Sequence, residues 1–181
     1  ELLDYLTNDK TAKNATFCHS YEDIKWKDAD IVLICVQTPV DEKGELNSNF
    51  VKKVFSSING KVTDNTTVCI KSTIHPSALQ KVLNEINFKY EDLVFNPEFL
   101  REGSAFYDFF NTDRIIIGSK NLEKSQIIAD LYKELETEII FTDPISSQLI
   151  KYLSNAYLPL RLSFVNEASQ LIDSLNANQS D

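Results

Sequence analysis

Short apolar runs at residues 31–36, 67–70, 93–95, 114–117 and 138–141 alternate with stretches at 50–58, 77–86 and 122–135 whose apolar residues recur at helical spacing. This alternation constrains the chain more than any other feature. Strand, helix and strand in succession close most readily as right-handed crossovers onto a parallel sheet buried on both faces. The expected class is α/β. A helix-like opening at 2–6 and a short strand-like run at 16–19 precede these elements. Gly60 and Gly118 fall where a helix or strand should stop, and Asp41-Glu42-Lys43-Gly44 reads as a polar loop. There is no internal repeat and no low-complexity tract.

From about Asp143 the pattern changes to one long helix-like segment toward Leu175, with Leu149, Leu153, Tyr157, Leu160 and Phe164 at three- and four-residue steps. It is longer than a sheet-covering helix needs to be, which suggests a connector between domains. Pro159 sits inside it. A proline there removes the bond to the carbonyl of Asn155 and should bend or locally open the helix.

Several function classes are disfavoured by composition. The 181 residues carry a net charge of −9, against a partner held by neutralising many phosphates, so no nucleic acid is expected. No apolar run approaches the roughly 18 residues that span a bilayer, and no secretory leader pattern opens the chain. A cytoplasmic protein with no membrane partner is the expectation. Cys18, Cys35 and Cys69 show no metal-ligand spacing; Cys35 and Cys69 sit in apolar runs, where a thiol is most often a small buried hydrophobe. No metal site and no cysteine nucleophile are expected. The chain contains no methionine and four glycines, none in a G-x-G, which suggests a piece of a larger protein.

The chemistry gathers at strand ends. Asn96-Pro97-Glu98-Phe99-Leu100-Arg101-Glu102-Gly103 follows the apolar run at 93–95, and Pro97 lacks the N–H that would continue a ladder. In an open parallel sheet the ligand crevice lies beyond the carboxyl ends of the strands, which places Glu98, Arg101 and Glu102 at its mouth. On spacing alone the segment is equally a strand exit with solvated charges. Val36-Gln37-Thr38-Pro39 and Lys71-Ser72-Thr73-Ile74-His75-Pro76 each end a run with threonine near proline, which could bring two hydroxyls to one edge or be ordinary turn chemistry. His75 is simply the residue before a helix-starting proline. Lys151 and Asn155, one helical turn apart, share a face and by themselves read as two solvated polar residues.

Taken in order, Val36-Gln37-Thr38-Pro39, Lys71-Ser72-Thr73, the segment from Asn96 to Gly103, Asp113-Arg114-Ile115-Ile116-Ile117-Gly118, Lys151-Tyr152-Leu153-Ser154-Asn155 and Asn166-Glu167 resemble the nucleotide-sugar dehydrogenases through essentially the whole chain. The Phe-Leu after Pro97-Glu98 resembles the members acting on UDP-glucose more than those acting on N-acetylated UDP-sugars. Members acting on GDP-mannose are the nearest competitors. The resemblance implies a partial, parallel Rossmann-like NAD-binding domain over 1–142 and a central connecting and dimerising helix over 143–181. It also implies that the glycine-rich phosphate loop and the catalytic-cysteine domain lie outside this chain, so that the chain alone is inactive. A non-catalytic scaffold or dimerisation module is the alternative.

The family reaction is a double oxidation of the sugar C6 alcohol to a carboxylate with two NAD, through a thiohemiacetal and a thioester on cysteine. By resemblance, Lys151 assists proton transfer and stabilises the C6 oxyanion, to which Asn155 donates a hydrogen bond. Glu98 and Glu102 match positions serving thioester hydrolysis, water placement and ligand contact. Backbone groups of Phe99, Leu100, Arg101 and Glu102 would line the UDP-sugar. Thr38 and Thr73 match positions near NAD, with Glu102 also on the cofactor side and Thr73 near the reacting carbon. The partners implied are the UDP-sugar and a second copy of the chain. Three departures stand out: Gln37 for a glycine and Gln148 for a glutamate, both expected at the rim, and Pro159 for an alanine, expected to shift Asn155.

Overall fold

A computed structural model describes residues 15–16, 18–39 and 47–178. The expected opening helix at 2–6 and the loop at 41–44 lie outside the described residues, and residues 16, 18 and 19 carry no strand. The elements run β1 (Ile31–Ile34), α1 (Asn49–Ile58), β2 (Thr67–Ile70), α2 (Pro76–Glu85), β3 (Leu93–Phe95), α3 (Ala105–Phe110), β4 (Arg114–Gly118), α4 (Leu122–Asp130), β5 (Glu138–Thr142) and α5 (Pro144–Ser174). The strands lie side by side in the order β1-β2-β3-β4-β5.

The sheet is mostly parallel. β1, β2 and β3 run together, with Cys69 between Leu33 and Val94, and β4 runs parallel to β5. Between β3 and β4 the pairing is antiparallel, Phe95 facing Gly118, a step within the parallel sheet that the alternation of elements predicts. The reason is the connection. A parallel return must cross the full length of the sheet, whereas α3 has six residues and is about 9 Å long, against about 17 Å for a five-residue strand. The chain therefore re-enters at the edge it left, and residues 96–113 stay at the carboxyl end of β3.

Period-two alternation divides the strands between two cores. Val32, Ile34, Val68, Ile70, Leu93 and Phe95 pack with Val51, Val54, Phe55 and Ile58 of α1 and with Leu79 and Leu83 of α2. On the other face Cys69, Val94, Ile115 and Ile117 meet Ile128, Ala129 and Tyr132. Residues 51, 54, 55 and 58 follow the helical repeat, so one face of α1 is buried while Lys52 and Lys53 stay in water. α2 begins at Pro76, with the His75 ring accepting from the Ser77 N–H at 3.2 Å. α4 stops at Asp130, short of the expected 135, and the chain continues in turns that tuck Tyr132 into the core.

α5 starts on a strong cap: the Asp143 carboxylate accepts from the N–H groups of Ile145 (2.9 Å) and Ser146 (3.0 Å), and Pro144 fills the first helical position. Its 31 residues extend for about 46 Å and remain helical through Pro159, but only Pro144, Ser147 and Gln148 are buried. No helix among the described residues is long and apolar enough to cross a membrane. The first turn of α5 lies against the end of β4 so closely that a Cβ on Gly118 would meet Ser147 Oγ at 2.1 Å and the Asp143 carbonyl oxygen at 2.8 Å. Gly118→Ala should therefore destabilise the chain by about 1–3 kcal/mol through forced displacement of α5. Urea unfolding of the two chains measures it, and equal midpoints would show that this approach is soft.

A candidate active site at the carboxyl edge of the sheet

β1 and β2 end at the same edge, and their exits are tied together. Thr38 Oγ1 donates to the Thr73 carbonyl at 2.7 Å, and Ser72 Oγ donates to the Val36 carbonyl at 2.6 Å. Thr38 and Thr73 then line an open cavity of about 320 Å³ with Tyr152, Asn155 and Ala156 of α5. Parallel strand ends supply the hydroxyls and the long helix supplies the amide. Tyr152 also stands edge-on to His75, ring centroids 5.5 Å apart, which fixes α5 against the start of α2. His75 is thus an N-cap and a packing residue.

One turn before Asn155, Lys151 is half-buried, with Nζ 5.1 Å from the centre of the Phe99 ring. The Arg114 guanidinium reaches the same ring at 5.2 Å, so Phe99 carries two cations. Burial lowers the Lys151 pKa below the ordinary lysine value, and the charge of Glu98 partly opposes it. Lys151 also lines a small cavity with Thr73, Pro97 and Gln148. Gln148 is buried: its amide nitrogen donates to the Tyr90 hydroxyl (2.8 Å) and the Pro144 carbonyl (2.7 Å), while Oε1 has no hydrogen-bond partner among the described residues. That corrects its expected place at the rim, because the close seating of α5 on β4 carries position 148 inward.

The loop after β3 is held from beneath. Asn96 is 2% exposed, and its Nδ2 donates to the Ile116 carbonyl at 2.9 Å. Its Oδ1 accepts from Lys71 Nζ at 3.1 Å and from the Tyr132 hydroxyl. Lys71 Nζ also donates to the Tyr132 oxygen at 3.2 Å and reaches the Glu98 carboxylate at 4.0 Å. Pro97, Glu98, Phe99 and Leu100 line a cleft with Phe109 and Tyr132 on this side. Farther along, Asp108 accepts from the Arg101 amide (2.9 Å), Nε (3.0 Å) and Nη2 (2.7 Å) and from Ser104 Oγ (3.0 Å). The Arg101 N–H, Nε and Nη2 are therefore committed to Asp108 of α3. Glu102 is exposed in the following turn, which closes at Gly103 with φ 83°.

The structure thus gathers Thr38, Thr73, Glu98, Phe99, Leu100, Lys151 and Asn155 at one edge. Glu102 sits at its outer margin. Sequence reading missed the supports, namely Lys71, Tyr132, Arg114 and Asp108. Lys71 had a signal: a lysine directly after the short run Thr67-Val68-Cys69-Ile70, every residue of which is buried, seldom lies beside a core without partners.

The arrangement is that of an α/β protein in which the ends of β1, β2 and β3 form the edge where open sheets of this kind hold their ligands. Residues 1–136 match the family described as "UDP-glucose/GDP-mannose dehydrogenase family, NAD binding domain", and the chain belongs to that family. It is 37% identical over 188 residues to uncharacterized protein MJ1054 of Methanocaldococcus jannaschii, covering 98% of this chain and 21% of that protein. To the UDP-glucose 6-dehydrogenase of Rickettsia felis it is 31% identical over 186 residues, covering all of this chain and 41% of that enzyme. The solved UDP-glucose dehydrogenase of Pyrobaculum islandicum superposes with a TM-score of 0.78 at 30% identity, over 90% of this chain and 39% of that one. The chain therefore spans about two-fifths of the length of these two dehydrogenases. NAD is the cofactor of the matched domain.

The Arg101 bonds hold the Asp108 carboxyl well below its ordinary pKa. A carboxylate whose folded pKa is depressed stabilises the fold above its unfolded value, about 3.9, and the gain is lost as pH falls through the folded value. Asp108→Asn should therefore lower the melting temperature at pH 7, with the gap to the parent chain narrowing below about pH 4. A gap that is constant with pH would assign the loss to shape rather than charge.

Proposed function

We propose that this chain supplies the nicotinamide side and part of the reactive machinery of a UDP-glucose 6-dehydrogenase. That enzyme oxidises the C6 alcohol of UDP-glucose to the carboxylate of UDP-glucuronate in two hydride transfers. The observation that carries the reading is the contact of Lys151 with Phe99 at 5.1 Å, which joins the helix motif to the strand-exit motif beside Thr73 and Asn155. The names of the two dehydrogenase relatives supply the substrate.

The residues fit NAD in part. The Thr38 hydroxyl, while donating to Thr73, keeps lone pairs for a carboxamide N–H, and the neighbouring cavity is open at the strand ends where a nicotinamide would lie. Gly60, Gly103 and Gly118, the described glycines, form no G-x-G turn, so the described residues would hold the nicotinamide half rather than the diphosphate. Bound there, NAD would accept the hydride from C6. Lys151, with its lowered pKa, takes the proton of the C6 hydroxyl and then faces the developing oxyanion as an ammonium, while Asn155 donates to the same oxygen. Thr73 borders the reacting carbon. Glu98 orients the water that hydrolyses the thioester, and Glu102 contacts ligand at the margin. Neither cysteine beside the edge is activated: burial pushes the Cys69 thiol up to about 12, and partial desolvation raises that of Cys35, which is exposed rather than buried as its apolar run suggested.

The same enzyme pairs through α5. Leu153, Tyr157, Leu160 and Phe164 follow one another at helical steps and are exposed, Phe164 at 72%, on a stripe that the sheet of this chain leaves uncovered. A second copy of the helix is the ordinary cover for such a stripe.

In the enzyme that contains this chain, Lys151→Ala should lower kcat roughly a hundredfold with little change in ligand binding. NADH formation with UDP-glucose, and with GDP-mannose as comparator, measures it. The parent rate should rise with pH along a limb centred below the ordinary lysine value, and that limb should vanish in the variant; a near-normal kcat would leave Lys151 as helix surface. For the pairing, Leu160→Asp with Phe164→Asp should give folded monomers by light scattering, and a dimer surviving both changes would rule out this helix as the contact.

A further inference from the structure

Two lysines share one glutamate at this edge. Lys71 belongs to the sheet face carrying Cys69 and Tyr132, whereas Lys151 borders Ile70 and Phe95 of the other face. Glu98 lies on the loop between them. Among the described residues its ion-pair partner is Lys71, at 4.0 Å, and Lys151 has none.

We propose that Lys71 is a positioning residue that holds the Glu98 carboxylate on its own side of the loop and away from the Lys151 amine. The Lys71 side chain is 15% exposed, and its hydrogen-bond acceptors are neutral: Asn96 Oδ1 at 3.1 Å, Tyr132 Oη at 3.2 Å and the Asn96 carbonyl at 3.5 Å. A largely buried cation among neutral acceptors still needs a counter-charge, and Glu98 is the carboxylate within reach. The acceptors fix the ammonium in place, while the Glu98 side chain is about half exposed and free to follow a charge. The other titratable neighbours of Lys71 are the Cys35 and Cys69 thiols and the Tyr132 phenol. Around Lys151 stand Glu98, Arg114 across the Phe99 ring, and, on the α2 side, His75 against Tyr152. Glu98 is thus the anion available to either amine. Without Lys71 it turns to Lys151, forms the ion pair there and favours the protonated amine. The consequence for proton transfer rests on the proposed function, but the placement of Glu98 does not.

The experiment follows the ¹³Cε shift of Lys151 against pH in the 181-residue chain, with the signal assigned from Lys151→Arg. In Lys71→Met the Lys151 midpoint should move upward, in Lys71→Arg it should stay, and in Lys71→Met with Glu98→Gln the rise should disappear. A folded Lys71→Met chain whose Lys151 titrates as in the parent, or a rise that persists without Glu98, overturns the proposal. Should Lys71→Met fail to fold, Lys71→Gln, neutral but able to hydrogen-bond, decides by the same titration: the Lys151 midpoint should rise, and an unmoved midpoint overturns the proposal. The titration stands whether or not the longer enzyme oxidises UDP-glucose, so the two readings fail separately.

Discussion

The buried amide of Asn96 is the joint on which this edge of the molecule depends. At the end of β3 the next residue is Pro97, which has no N–H to offer a neighbouring strand. Asn96 takes over the bonding with its side chain, donating to Ile116 of β4 and accepting from Lys71 after β2 and Tyr132 after α4. One residue thereby links two strand exits, the interior of a third strand and the far helix. Removing the amide would leave a largely buried ammonium, a phenol and a carbonyl without a shared partner, and each such group is costly to bury unpaired.

The antiparallel entry of β4 follows from the same departure. Because the chain turns out at Pro97 and returns after a two-turn helix, the loop carrying Glu98, Phe99 and Leu100 never leaves the carboxyl edge. It runs beside the start of β4, and so Arg114 and Phe99 meet. α5, capped by Asp143 and seated against Gly118, then brings Gln148, Lys151 and Asn155 over that edge in successive turns. The side chains gathered there come from β-strand ends, a loop and a long helix, yet each is placed by ordinary packing and capping.

The local charge of the edge differs from that of the whole chain. A net charge of −9 describes an acidic protein, but Lys71, Lys151 and Arg114 surround Glu98 and Phe99. Charges act over about 8 Å at physiological salt, so the neighbourhood rather than the sum sets what the edge attracts. The edge is thus a locally positive neighbourhood on an acidic chain. Half-burial of Lys151 against an aromatic ring has the further effect of lowering its proton affinity, which an exposed lysine on a helix would not show.

The sequence by itself determined the elements and the family. Period-two and helical repeats placed the five strands and the helices α1, α2, α4 and α5 to within about five residues, because those repeats report the local geometry of each segment, whereas the six-residue α3 is too short to show one. The motifs from Val36 to Asn155 identified the family because their order survives whatever the three-dimensional arrangement. Only the tertiary structure decided the antiparallel step between β3 and β4, the burial of Gln148, the commitment of Arg101 to Asp108, and the part played by Lys71. Lys71 and Asn96 are 25 residues apart and Asn96 and Tyr132 are 36 apart. Contacts at such separations depend on which edge the chain re-enters and on how closely a helix sits on a strand, and a pattern of residue types along the chain contains neither.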